Sequence, residues 1–148
     1  KARMSDDTEL THYATTTMME IQSGYELEIH RIETALETND TYEDWSYYKT
    51  QLNRYILSGL ISGSILQIYR TKLSKALNRM IEFEPENRRV MWECIENHIE
   101  LGEKEKVEEL LTYSYEKWND EEKLYQLMNL KQQQEEVTMQ LIFMEQII

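Results

Sequence analysis

The stretch from Phe83-Glu84-Pro85-Glu86 to Trp118 constrains this chain more than any other. It spells a helix stop, a helix, a glycine turn and a second helix. Pro85, the only proline, disfavours α geometry at Glu84 and suits the first turn of a following helix, where its missing N–H is no loss. Glu84 and Glu86 place negative charge at the positive end of that helix dipole. Met91, Ile95 and Ile99 then recur every four residues with Val90, Cys94 and His98 beside them, which makes one apolar face. Gly102 follows Leu101 as a natural left-handed C′ residue. From Glu103 to Trp118 the pattern restarts, with Val107, Leu110, Leu111, Ser114 and Trp118 on one side and Glu and Lys on the other. So short a turn predicts two antiparallel helices, held together by Val90, Met91, Ile95, Ile99, Val107 and Leu111.

The flanking sequence is helical in period throughout, and no alternation of period two appears. From about Asp6 to Thr38, Ala14, Met18, Ile21, Tyr25, Ile32 and Ala35 form a heptad-like seam interrupted by Glu28. Ser23-Gly24 in its middle is a weak point, costing about 1 kcal/mol relative to alanine, and predicts a kink or short break. Asn39-Asp40 ends the segment, and Asp40 with Glu43 forms an acidic capping box for the next helix. That helix carries Trp45, Tyr48, Leu52, Tyr55 and Ile56 on one side and breaks within Ser58 to Ser64, around Gly59 and Gly63. Leu66, Tyr69, Leu73, Ala76, Leu77 and Met80 continue as an amphipathic helix to Ile81. Asn119-Asp120 is a turn and N-cap before a last helix toward Ile148. There Leu127, Leu130, Gln134, Val137, Leu141, Met144 and Ile148 alternate by three and four, which fits either a coiled-coil extension over residues 120–148 or a helix capping the bundle. The expected fold is therefore all-α: one domain over residues 1–148, a helical bundle of five to seven antiparallel helices with long N- and C-terminal helices. Lys1-Ala2-Arg3 ahead of Met4 reads as a tag remnant or as internal sequence.

The run EFEPENRRVMWECIENHIELGEKEKVEELL resembles one tetratricopeptide unit: a proline ending one repeat, a large apolar residue early in the first helix, LG at the turn, and EKV where that family usually has EKA. The resemblance covers one unit, about residues 84–118, and implies a helical hairpin that presents a groove to a protein partner. Val107 stands where alanine is usual, whereas Ser114 fits. A second likeness is to the FCD effector domain of GntR-like bacterial regulators. ALETNDTYEDWSYYKTQLNRYILSG is similar to that family's acidic turn, aromatic and helix, and ENHIELGEKEKVEELL to its last helix pair. That family holds a metal through one Asp and three His. The matching positions here are Lys49, Asn53, Trp92 and Ser114, so the likeness implies a domain without that metal site.

The formal charge of −12 sets the chain against polyanions, and no direct nucleic-acid binding is expected. The single cysteine, Cys94, excludes an internal disulfide and fits the cytoplasm or another reducing intracellular compartment. No secretory signal is visible, and the longest uncharged run, Tyr55 to Tyr69, is too short to span a bilayer, so no membrane role is expected. His12, His30 and His98 fall on different helices without ligand spacing, and no phosphate loop, nucleophile elbow or HExxH occurs. Cys94 and His98 are one turn apart, but both lie on the core face, so a buried inert thiol is the reading. No catalytic, metal or cofactor-binding residues and no cofactors are expected.

Two surfaces remain as candidates. Arg70, Lys72, Lys75 and Arg79 form a basic patch in a stretch, Asn53 to Arg79, with no acidic residue. The patch meets an acidic partner or pairs with the Glu-rich hairpin of its own chain, the latter preferred. Trp92, Tyr113 and Tyr115 lie off the buried stripe as aromatic anchors, and Leu127, Leu130, Val137, Leu141 and Met144 form the partner or self-interface. The expectation is a non-enzymatic helical interaction or regulatory module, self-associating, with a homodimer favoured. The alternative is the ligand-sensing effector half of a bacterial transcription regulator.

Overall fold

A computed structural model describes residues 2–147, with side chains placed for residues 7–146. The reading of Lys1-Ala2-Arg3 as a tag and the last seam position, Ile148, lie outside these described side chains. The chain is all-α, with six helices and no strand among the described residues: α1 (Ala2–Leu36), α2 (Tyr42–Leu57), α3 (Gly63–Phe83), α4 (Arg88–Glu100), α5 (Lys104–Trp118) and α6 (Glu121–Ile147). It divides into two compact units, Lys1–Val90 and Met91–Ile148.

In the first unit α2 packs against both α1 and α3. All five residues of the expected α2 stripe, Trp45, Tyr48, Leu52, Tyr55 and Ile56, are buried. From α3 come Leu73, Ala76, Leu77 and Met80, and from α1, among its described side chains, Ile29 and Ile32. Ile29 sits on the same face as Tyr25 and Ile32 but off the strict heptad seam. Helix α1 runs through Ser23-Gly24 without the expected break. A single glycine penalty of about 1 kcal/mol is too small to open a helix supported by full turns on both sides. The α2 cap also lies one residue later than expected. Thr41 is the N-cap, its hydroxyl accepting from the Asp44 N–H and donating to the Asp44 carboxylate at 2.7 Å. Asp40 instead accepts the Trp45 indole N–H at 2.6 Å and pairs with Arg79. The expected break after α2 is present, with Gly59 at φ 78° and Gly63 at φ 59° on either side of the buried Ile61.

Pro85 does not open α4. It follows Glu84 in a turn closed by the Asn87 N–H on the Glu84 carbonyl at 3.1 Å, the second turn position that a fixed φ favours. Asn87 supplies the cap instead, its side-chain oxygen accepting from the Val90 N–H at 3.2 Å.

The second unit contains the α4–turn–α5 segment and the start of α6. Gly102 adopts φ 72°, and the Glu103 and Gly102 N–H groups reach back to the His98 and Ile99 carbonyls at 3.1 and 3.0 Å, a Schellman closure. Met91, Cys94, Ile95, Asn97 and His98 of α4 are buried, with Val107, Leu110, Leu111 and Ser114 of α5 and Lys123 and Leu127 of α6. Ile99, expected in the core, is 54 % exposed. The buried rows advance through 91, 94–95 and 97–98, so the last turn rotates Asn97 and His98 inward and Ile99 outward. Asn119 (φ 55°) ends α5 in the left-handed region, and Asp120 caps α6 by accepting the Glu122 N–H at 3.1 Å, as the Asn-Asp pair predicts.

Ser114 is 1 % exposed and its hydroxyl has no hydrogen-bond partner. A buried unpaired hydroxyl carries a desolvation cost without return, so Ser114→Ala is expected to leave stability unchanged or raise it by about 1 kcal/mol. Urea unfolding checks this. A loss above 1 kcal/mol would show that the hydroxyl has an unseen partner.

Candidate interaction surface

The buried contacts of α6 end early. Lys123 and Leu127 are buried, Leu124, Gln126, Leu130 and Gln134 are half-buried, and every described side chain from Glu135 to Gln146 is exposed. The cause is length. At 1.5 Å per residue α6 is about 40 Å long and α5, against which it packs, about 22 Å. The overhanging part reads VTMQLIFMEQ from Val137. Its apolar side chains are distributed all round the helix: Val137, Leu141 and Met144 on the heptad seam at 48 %, 57 % and 58 % exposure, and Met139, Ile142 and Phe143 elsewhere. A helix apolar on every side is ordinarily a buried one.

Helix α1 behaves in the same way at its other end. Between residues 7 and 24 no side chain is buried, and Leu10, Tyr13, Met18, Met19 and Ile21 are exposed. The N-terminal half of the expected seam (Ala14, Met18, Ile21) is thus uncovered, while Ile32 is buried and Tyr25 and Ala35 are half-buried.

The proposed interface residues therefore separate. Val137, Leu141 and Met144 are exposed, Leu130 is half-buried, and Leu127 at 8 % belongs to the chain's own packing, so it is no part of an open surface. Of the aromatic anchors, Trp92 is half-buried beneath the Lys123 ammonium, which lies over its ring. Burial lowers the Lys123 pKa, opposed by Asp120, Glu122 and Glu96, and the indole face compensates the desolvated cation. Tyr115 is half-buried, whereas Tyr113 is exposed, edge-on to Trp118 at 6.2 Å and accepting from Lys117 Nζ at 3.1 Å.

Two of the four basic residues, Lys72 and Arg79, meet acidic partners within the first unit. Lys72 meets Glu33 at 2.5 Å, where Tyr48 also donates at 2.5 Å. Burial opposes ionisation of Glu33, and the two hydrogen bonds outweigh it, so its pKa is lowered. Arg79 clamps Asp40 and Glu82 and lies over Phe83, and the hydrogen bonds that Arg79 and the Trp45 indole N–H donate to Asp40 hold its pKa down. Lys75 is exposed and Arg70 half-buried. Cys94 is buried and burial pushes its thiol up to about 11, which keeps it protonated and poorly nucleophilic. His12 and His30 are exposed; His98 is buried with Nδ1 at 3.5 Å from Glu103. No cluster of three metal-ligating side chains occurs among the described residues, and no helix among them is long and apolar enough to cross a membrane.

Heptad reasoning did not single out Met139, Ile142 and Phe143, or Leu10, Tyr13 and Met19, because none lies on the seam. The readable signal was density: six of the eight residues from Val137 to Met144 are apolar, more than one face of a helix holds. Fold and surface together define a class, an all-α protein whose longest helices outrun their own packing and end in exposed apolar segments. Beyond that class nothing attaches: no protein-family model, curated protein or solved structure matches the chain.

Proposed function

We propose that this chain is a non-enzymatic helical interaction module that self-associates through the distal part of α6. The observation that carries the reading is the concentration of six exposed large apolar side chains on the end of a helix that outruns α5. Contiguous exposed apolar surface of this kind marks interaction sites in stable proteins. The acidity of the chain sets nucleic acid aside as a partner, and the turn-closed α4–α5 segment, with Tyr113 facing solvent, supplies a second surface for a protein guest. A homodimer is the simplest assembly, because a two-fold interface covers the same patch on both copies.

Truncation after Gln134 tests this. Cutting there leaves Lys123 and Leu127 in place, whereas a cut after Trp118 would remove buried side chains from the second unit. The truncated chain is expected to run as a monomer in light scattering at concentrations where the full chain is a dimer, with its unfolding temperature shifted by less than about 4 °C, equivalent to about 1 kcal/mol or less. An oligomer that survives the truncation, or a full chain that is monomeric, counts against the reading.

A further inference from the structure

Charge on α6 is unevenly placed. From Leu124 to the helix end the only cation is Lys131, followed by Glu135, Glu136 and Glu145. Lys131 is 56 % exposed, with Nζ at 3.9 Å from Glu108 on α5. It stands at a shallow groove of about 470 Å³ where α6 leaves α5, lined by Glu108, Lys131, Gln134, Glu135, Thr138 and Met139. Glu145 lies fourteen positions further on, about 21 Å along the same helix, out of reach of that cation.

Resting on the self-association reading, we propose that two copies of this chain pair their α6 ends antiparallel, each end lying in the groove beside Glu108 of the other, with Glu145 on the partner's Lys131. In that register the seam layers are Val137 with Leu141 and Gln134 with Met144, each repeated by symmetry, and two Lys131–Glu145 pairs flank them. Ile142, three residues before Glu145, then faces the partner's α5 instead of water. The parallel alternative sets every residue beside its own copy. It leaves Lys131 and Glu145 about 21 Å apart, and in a chain of charge −12 it brings Glu135, Glu136 and the Glu-rich start of α5 against their duplicates. An anionic membrane is a poorer occupant, since residues 132–147 carry three acidic groups and no basic one. Overlap of the two ends covers on the order of 1,000 Å² in total, the low end for specific interfaces, and fits a reversible dimer.

The test is sedimentation equilibrium of the full chain as wild type, Lys131→Glu, Glu145→Lys and the double variant. Each single change creates two like-charge contacts per dimer and is expected to weaken dimerisation about tenfold, while the double change returns it to within about threefold of wild type. Weakening without recovery in the double variant overturns the antiparallel register, as does a dimer indifferent to all three variants, and in both cases self-association stands. A wild-type chain that is monomeric at every concentration removes both the register and the reading beneath it.

Discussion

Tyr55→Ala is expected to cost about 4 kcal/mol, a large share of the 5–15 kcal/mol that holds a typical domain together. Tyr55 is fully buried and sits at the junction of three helices. Its ring stacks on Tyr25 of α1 at 5.1 Å and meets Tyr69 of α3 edge-on at 4.8 Å, and its hydroxyl donates to Glu26 at 2.7 Å. Burial raises the hydroxyl pKa, so it remains a donor. Truncation removes two aromatic pairs and leaves a ring-sized cavity between elements that cannot all close on it. Tyr55→Phe keeps the packing and loses one exchanged hydrogen bond, so it should cost only about 1 kcal/mol. Urea unfolding of the two variants separates the terms. Equal losses would mean that the hydrogen bond, and not the ring, ties α1 to α2.

Leu141→Lys is expected to weaken self-association about a hundredfold or more while leaving the folded monomer as it is. The side chain is 57 % exposed, and every described side chain of α6 from Glu135 on is exposed with it. Its replacement puts an ammonium into the seam of the dimer and a good helix former on the surface of the monomer. Lysine also lowers the negative charge of an acidic chain, so loss of association cannot be assigned to added repulsion. Sedimentation gives the dimer constant, and circular dichroism the helicity and melting. A variant that still dimerises would place the interface elsewhere, with the exposed N-terminal half of α1 the next surface to examine.

These two residues also mark how far the sequence could be read. Tyr55 belongs to a stripe whose period and flanking turns are legible in the residues alone, and all five of its members are buried. Leu141 belongs to a seam equally regular on paper, running from Leu127 to Met144, of which one end is covered and the other bare. Nothing in the spacing distinguishes those ends. Ile99 repeats the lesson within a single helix: its four-residue interval from Ile95 was correct, but the face turned inward at that point is the one bearing Asn97 and His98. Arg79 does so for charge, since a clamp on Asp40, thirty-nine positions away, leaves no mark in local sequence.

What the chain of residues determined alone was therefore the set of rods and several of their stops: five to seven helices, the left-handed Gly102, the turn and cap at Asn119-Asp120, the break between Gly59 and Gly63, and the absence of any strand period. Those follow from forces acting over one or two turns, such as glycine's tolerance of positive φ and the hydrogen bonds that caps supply. Only the tertiary structure decided which apolar rows are used and which are left over. Burial depends on what lies alongside, and α1 and α6 are longer than the helices they pack against.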